Sequence, residues 1–252
     1  VNAQSPAPVV IFDRVEVRFG ATVVHKNLSF SLNAAEATTI LGPSGAGKTI
    51  ILKLIMGLLT PSAGSVTVLG RNVGELDERG LLDLRRDVGM LFQGAALFDS
   101  LSVFENVAYA LRERGETDEK KLANLVRDRL AAVGLPGIEA KYPPQLSGGQ
   151  KKRVGLARAL ATSPKVMLFD EPTTGLDPTS TRLIDELIVM LKREMGLSCI
   201  AVTHDIQSAV RFSDRWILIG DGTVLADERI QNGRPGDPLV TKFVQGEWGD
   251  DV

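Results

Sequence analysis

Gly42-Pro43-Ser44-Gly45-Ala46-Gly47-Lys48-Thr49 is the stretch whose reading decides the fold. It matches the phosphate-cradling pattern G-x-x-x-x-G-K-[ST] at every fixed position. Its flanks agree with it. Ala37-Thr38-Thr39-Ile40-Leu41 is a short β-branched, apolar run suited to a buried strand, and Ile50 to Met56 is a largely apolar helical stretch ending near Gly57. Glycines let the backbone curl so that several N–H groups face one anion, and the following helix adds the positive end of its dipole. A polyphosphate fits there, with Lys48 reaching the β and γ phosphates and the Thr49 hydroxyl available to Mg2+. The order of glycines disfavours a dinucleotide fingerprint.

Composition bounds the rest. The 252 residues are 44 % hydrophobic and 24 % charged, with a formal net charge of -2, which is ordinary for a globular chain and offers no basic field for nucleic acid. One cysteine excludes an internal disulfide, and Cys199 sits in the apolar run Leu197 to Val202, where core packing is expected. No segment reaches the roughly 18 consecutive apolar residues of a membrane span. The amino end, Val1 to Pro8, lacks a basic start and an apolar signal core, and a first residue other than Met fits a trimmed chain. The expectation is a cytoplasmic protein whose membrane work goes through a partner.

Along the chain, Val9 to Phe12, Val15 to Phe19 and Leu28 to Leu32 read as three strands without an intervening helix, hence an antiparallel lobe around the phosphate loop. Phe19, at a strand end, suits either stacking on an adenine or a plain hydrophobic rim. His25 reads as a surface residue. Glu75 to Asp87 suits a charged helix, and Val88 to Phe92 a strand delivering Gln93 to the edge where α/β folds bind ligands. Gly94 to Leu101 is apolar for a connection, which fits a core-facing loop or a docking surface equally. Helices follow at Val103 to Tyr109 and Asp118 to Val133, and the region from about Gly94 to Lys141 forms a helical lobe inserted into the α/β core.

Leu146-Ser147-Gly148-Gly149-Gln150 then opens a helix running to Thr162, a second anion site on the same amide and dipole logic. Lys151-Lys152-Arg153 reads as a solvated face. Val166 to Phe169 is a buried parallel strand that delivers Asp170 and Glu171 to its carboxyl end. Adjacent strand residues point to opposite faces, so the two acids divide the work: Asp170 is the better Mg2+ partner, and Glu171 is left to take a proton from an attacking water. Asp177 precedes a helix from Thr179 to Met195. Ile200 to Thr203 is a strand ending at His204, placed to donate to a γ-phosphate and hold the water in line. Trp216 to Ala226 reads as a hairpin turning at Asp221-Gly222, Asp237 to Gly246 as a short helix, and Glu247 to Val252 as a loose tail.

These residues resemble one family, the ATP-binding cassette (ABC) ATPases, through six motifs in order: Gly42 to Thr49, Gln93, Leu146 to Gln150, Val166 to Glu171, Asp177 and His204. The resemblance covers essentially the whole chain. It implies an α/β P-loop core with a mainly parallel sheet, an antiparallel β lobe and an inserted α-helical lobe, as a single domain over 1–252 with the helical part at about 94–162 and a tail at 236–252. It also implies that Phe19 stacks on the adenine, that Gln93 links the metal site to the helical lobe, that Glu171 is the base and that His204 is the γ-phosphate switch. Two phosphate-binding helix ends exceed the needs of one nucleotide. The family places Ser147 and Gly149, with Gly148, Gln150 and Asp177, on ATP held by a partner's Lys48, in a head-to-tail homodimer with two sites. ATP then acts as glue that hydrolysis releases.

Met90 to Phe98 with Val103 to Tyr109, and Lys151 to Ala159, look like the ATPase of Mce-type lipid transporters, as in the Mla phospholipid system, although Gln150 stands where those relatives carry Met, and Ile50 where Thr is commoner. This implies a place on the cytoplasmic face of the inner membrane, beside an integral permease, an Mce-domain lipid-binding protein and a small STAS-type subunit, and no nucleic-acid partner. Two alternatives stand beside it. An importer of polar solutes such as amino acids runs against the apolar stretch Gly94 to Tyr109. A non-transport cassette acting on ribosomes or DNA commonly carries a second cassette or long insertions, which this sequence lacks. A non-hydrolysing binding module is disfavoured by Glu171 and His204.

Overall fold

The computed structural model describes residues 8–230 and 233–247. In chain order the elements are β1 (Pro8–Phe19), β2 (Thr22–Asn33), β3 (Ala37–Leu41), α1 (Lys48–Ile55), β4 (Ala63–Val68), β5 (Arg71–Asn72), α2 (Glu78–Asp87), β6 (Val88–Leu91), α3 (Val103–Arg112), α4 (Glu119–Ala132), α5 (Gly148–Leu160), β7 (Val166–Asp170), α6 (Pro178–Met195), β8 (Ser198–Val202), α7 (Ile206–Phe212), β9 (Arg215–Gly220), β10 (Thr223–Arg229) and α8 (Pro238–Gln245). They build two sheets. One has six strands in the order β10-β9-β3-β8-β7-β6 and the other four in the order β2-β1-β4-β5.

Every pairing in the six-stranded sheet is parallel except the β9/β10 hairpin. Parallel strands put all their carboxyl ends on one edge, and that single fact gathers the site. β3 runs into the phosphate loop, β6 into Gln93, β7 into Asp170 and Glu171, and β8 into Thr203 and His204. Each of β3, β6, β7 and β8 is buried from end to end, as covering by layers on both faces requires.

Two large apolar clusters fill the layers. One packs the antiparallel sheet and α1 onto the parallel sheet, with Phe12 and Phe30 stacked at 4.5 Å. Within it α1 buries Ile51, Leu52, Leu54 and Ile55, each contributing roughly 1.5–3 kcal/mol over an exposed position, so the helix behind the phosphate loop is firmly anchored. The other cluster joins α3, α4, α5 and α6 through Val107, Val126, Leu156 and Ile188. The helices α3, α4 and α5 occupy the chain between β6 and β7. Among the described residues no helix is long and apolar enough to cross a membrane.

Three features differ from the sequence reading. The first two expected strands are one strand, β1, bulged at Asp13-Arg14: Arg14 takes φ 49 and its amide donates to Ser29 Oγ at 2.8 Å, so the pairing resumes at Val15. β4, β5 and α7 are too short to show a clear period in the sequence and emerge only in the structure. His25 is not on the surface but fully buried, because a second irregularity at Asn27, with φ 51, sets the inward residues His25 and Leu28 three apart rather than two. The hairpin, the buried Cys199 and the short helix near Asp237 are as expected. Val1 to Ala7, and Trp248 to Val252 of the expected loose tail, lie outside the described residues.

Candidate nucleotide site

A cleft of about 460 Å³ lies at the carboxyl edge of the parallel strands, lined by Ser44, Gly45, Gly47, Lys48, Thr49, Gln93, Glu171 and His204 among others. A second, of about 390 Å³, flanks the other side of the loop, between Pro43, Ala46 and the residues Thr22, Lys26 and Asp221. Phe19 stands half exposed at the end of β1 and pairs with Thr22, the first residue of β2 and part of that second cleft's wall.

The loop takes its shape from Gly42, Gly45 and Gly47, at φ 156, 82 and 81. A Cβ on Gly42 would run into the Ile219 carbonyl, and one on Gly47 would lie 2.7 Å from His25 Nε2, so these two positions exclude a side chain sterically as well. His25 supports the loop from beneath, its Nε2 3.1 Å from Gly47 O. That contact requires Nε2 to carry the proton and donate, which in the neutral ring leaves Nδ1 bare, and Nδ1 has no partner among the described residues. Burial pushes the His25 pKa down, with the Gly47 contact opposing.

Lys48 Nζ donates to Gly42 O at 2.8 Å and to Pro43 O at 3.0 Å, closing the loop around its own cation. Burial lowers its pKa, while Glu171 and Asp170 act to raise it. A half-buried cation among curled amides has the chemistry to hold phosphate oxygens.

Asp170 and Glu171 face different partners, as their adjacency demands. Thr49 Oγ1 donates to Asp170 Oδ1 at 3.0 Å, joining the end of β7 to the start of α1. Burial raises the Asp170 pKa against the Thr49 hydrogen bond. A hydroxyl and a carboxylate at this spacing beside Gln93 suit a hard cation, and among the described residues no group of three or more His, Cys, Asp and Glu side chains forms a closed cage. Mg2+ fits such an open pair, since it keeps waters and takes phosphate oxygens.

Glu171 Oε2 lies 2.9 Å from His204 Nδ1 and accepts from Thr174 Oγ1 at 3.0 Å. The carboxylate is largely buried while His204 stays two-thirds exposed. The Glu171 backbone has φ 48, costing a non-glycine residue about 1–2 kcal/mol, and it precedes Pro172, which favours an extended conformation. Its N–H donates to Val202 O at 2.9 Å, and its carbonyl accepts from Lys152 Nζ at 3.0 Å.

Lys152 is a correction to the sequence reading. It is not on a solvated face but 4 % exposed, turned inward on the side of α5 that also carries Gly149, Gly155 and Leu156. The three-and-four spacing to those small and apolar residues was the available signal; the flanking charges of Lys151 and Arg153 hid it.

Ser147, Gly148, Gly149, Gln150 and Asp177 line neither cleft. Ser147 and Gln150 form a reciprocal capping box, Ser147 Oγ accepting from the Gln150 amide at 3.2 Å and Gln150 Oε1 from the Ser147 amide at 3.0 Å. A Cβ on Gly149 would lie 2.7 Å from Ser180 Oγ, whereas Gly148 is exposed and under no comparable pressure. Asp177 caps α6 by accepting from the amides of Thr179 and Ser180, each at 3.0 Å.

The apolar stretch after Gln93 divides in two. Ala95 is buried, and Leu97 and Phe104 pack against the helical core, yet Phe98 is 43 % exposed and meets exposed Tyr109 at 4.9 Å with the rings tilted by 40°. These two rings, with Phe92, Arg85 and Arg114, line a groove of about 300 Å³.

Comparison with known proteins agrees with this geometry. The family described as "ABC transporter" matches residues 25–174. The chain is 39 % identical over 229 residues to the intermembrane phospholipid transport system ATP-binding protein MlaF of Haemophilus influenzae, covering 90 % of this chain and 87 % of that protein. It is 42 % identical over 227 residues to the methionine import ATP-binding protein MetN of Rhizobium meliloti, covering 88 % of this chain and 63 % of the relative. Among solved structures, the dimeric post-hydrolysis state of the ATP-binding cassette MJ0796 bound to ADP and Pi superposes with a TM-score of 0.81 at 33 % identity, over 88 % of this chain and 99 % of that one. The glycine loop between β3 and α1, a paired Glu171 and His204 at the same edge, and these likenesses lead to one conclusion: the chain belongs to the ABC transporter family and is its ATP-binding, ATP-hydrolysing subunit.

Proposed function

We propose that this ATPase powers phospholipid movement through an integral permease of the inner membrane, in a system of the Mla type. The observation that carries the lipid reading is the 39 % identity to MlaF across 87 % of that protein's length. The exposed Phe98–Tyr109 pair, directly downstream of Gln93, supplies a surface for the permease. The subunit sits on the cytoplasmic face, with an Mce-domain lipid-binding protein and a small STAS-type subunit as further partners.

In this reading Phe19 stacks on adenine while the Gly42 to Thr49 amides and Lys48 hold the phosphates. Thr49, Asp170 and Gln93 would hold Mg2+, which would supply charge neutralisation at the phosphate oxygens. Glu171 accepts the proton of the attacking water, and His204, already bonded to Glu171 through Nδ1, orients that carboxylate and reaches toward the γ-phosphate. Ser147, Gly148, Gly149, Gln150 and Asp177 serve the nucleotide of a second copy in a homodimer, which accounts for their lying outside this chain's own cleft. Dimeric cassettes among the structural neighbours support that arrangement.

A polar-solute importer is the second reading, favoured by the identity to MetN and the 43 % identity to the sulfate/thiosulfate import protein CysA 2 of Chromobacterium violaceum. Purifying the subunit with its membrane partner separates the two. The lipid reading expects bound phospholipid and ATPase activity stimulated in the complex; recovery of a permease that binds only a polar solute and its receptor replaces it with the importer.

A further inference from the structure

The helix capped by Ser147 reaches the backbone of the residue bearing the reacting carboxylate through a single buried side chain. Lys152 Nζ donates to Glu171 O at 3.0 Å, and Lys152 is 4 % exposed. The carbonyl it holds belongs to a residue in a conformation that its neighbour opposes: φ is 48, and the following Pro172 pushes the residue before it toward extended backbone. Three hydrogen bonds to its backbone keep Glu171 there, and the longest is the Thr174 amide donating to Glu171 O at 3.4 Å. The N–H is tied to Val202 O in the adjacent strand, and the carbonyl is tied to Lys152 alone among the described side chains.

We propose that Lys152 is a positioning residue for the catalytic base, fixing the Glu171 peptide so that its carboxylate points into the nucleotide cleft and tying it to the helix that carries Ser147 to Gln150. Without that bond the carbonyl keeps only the 3.4 Å contact from the Thr174 amide, so the left-handed peptide is less firmly held against the extended form that Pro172 favours, and the carboxylate shifts with it. The contact runs through the backbone carbonyl, so the lysine leaves Glu171 Oε2 to His204, Thr174 and Thr203, and Oε1 to the water. The ammonium also faces Asp170 and Glu171 electrostatically; these carboxylates oppose the lowering of its pKa by burial, to about 8. The inference rests on the assignment of Glu171 as base.

The test compares Lys152→Met, Lys152→Arg, Glu171→Gln and the double variant Lys152→Met/Glu171→Gln, with Mg-ATP as substrate and the permease complex as the enzyme. Displacing a reacting group by about an ångström costs on the order of 10²-fold, so Lys152→Met is expected to lower kcat by about 10- to 100-fold with KM for ATP within about twofold of wild type. Lys152→Arg keeps a charged donor and restores most of the rate. In the Glu171→Gln background, where no base remains to be aimed, Lys152→Met adds no further loss. A wild-type kcat in Lys152→Met, a loss that arginine does not rescue, or an equal further loss in the double variant overturns the proposal. Full turnover in Glu171→Gln instead removes the base assignment beneath it. Should Lys152→Met fold poorly, Lys152→Gln provides the neutral donor for the same comparison, with partial retention of kcat expected and a rise in KM at unchanged kcat counting against the idea.

Discussion

Two glycines of the phosphate loop share nearly the same backbone conformation but not the same surroundings, and alanine at each separates strain from crowding. Gly45 has φ 82 with nothing within 4 Å of where an alanine methyl would sit, while Gly47 has φ 81 with His25 Nε2 and Val24 Cγ1 both 2.7 Å from that point. Left-handed backbone costs a non-glycine residue roughly 1–2 kcal/mol, which is all that Gly45→Ala should lose. Gly47→Ala adds overpacking against His25, which is fully buried and has nowhere to move, at a further cost of about 1–3 kcal/mol. For a chain of this size about 1 kcal/mol moves the melting temperature by roughly 2–4 °C, so Gly47→Ala should melt roughly 2–12 °C below Gly45→Ala. Thermal melts without nucleotide keep ligand affinity out of the comparison. Trimming the obstacle in His25→Ala/Gly47→Ala should return part of the loss as a coupling of about 1–3 kcal/mol, beyond the additive expectation. Equal melting temperatures for the two single variants would refute the view that His25 props the loop.

Glu171→Gln should keep ATP binding and lose turnover by roughly 10²-fold or more, the scale of a positioned base, and with Mg-ATP it should sediment as a dimer; monomers alone under those conditions count against a shared site. His25 predicts a pH effect with a definite sign. Its pKa is depressed by burial, so the unfolded chain takes up a proton near pH 6.5 that the folded chain refuses, and stability present above that pH is lost as the pH falls toward the lower folded value. His25→Phe, which cannot titrate, should show a smaller drop in melting temperature between about pH 7.5 and about pH 5.5 than wild type; parallel curves would be evidence against it. Phe98→Asp places a charge on a 43 % exposed position, so melting and ATP binding of the isolated subunit should stay near wild type while stimulation by the membrane partner fails; an unfolded variant would make that ring core.

Much of the site was legible because its signals are local. A strand of five buried residues, three glycines that must turn and a helix with four buried aliphatics lie consecutively between Ala37 and Ile55, so nothing distant is needed to read them. Asp170 and Glu171 were separable for the same reason: neighbouring residues on one strand face apart, and they do meet Thr49 and His204 respectively. What escaped depended on register or on packing from afar. The bulges at Arg14 and Asn27 each insert a residue into an alternation of period two, so the first split one strand in the reading and the second turned His25 outward. Lys152 escaped because side-chain charge was weighed above helical position, and its acceptor is a carbonyl 19 residues away whose orientation only the fold supplies. The apolar run after Gln93 resisted a single assignment since it has two faces, one built from Ala95, Leu97 and Phe104 and the other from Phe98.

The same helix, α5, is what connects these parts. Its 13 residues span about 20 Å as a rigid element. At its start Ser147 and Gly148 are exposed; one and a half turns on, Lys152 holds the carbonyl of Glu171; near its end Arg158 donates to the carbonyls of Ala95 and Ala96, at 2.9 and 2.7 Å. Ala95 and Ala96 are themselves left-handed, at φ 60 and 49, and they lead from Gln93 to Phe98, whose ring lies 6.0 Å from the Arg158 guanidinium. Two strained backbone segments, one carrying the proposed base and one leading to the proposed docking ring, are therefore each fastened to a cation on one helix. Strained segments of this kind hold only while their surroundings over-determine them. Any displacement of α5 would therefore strain the hydrogen bonds at Glu171 and at Ala95-Ala96 together. Under the proposed function, in which a second copy's nucleotide sits at Ser147, these contacts would give it a route to Glu171 and to Phe98 that does not pass through the loop Gly42 to Thr49.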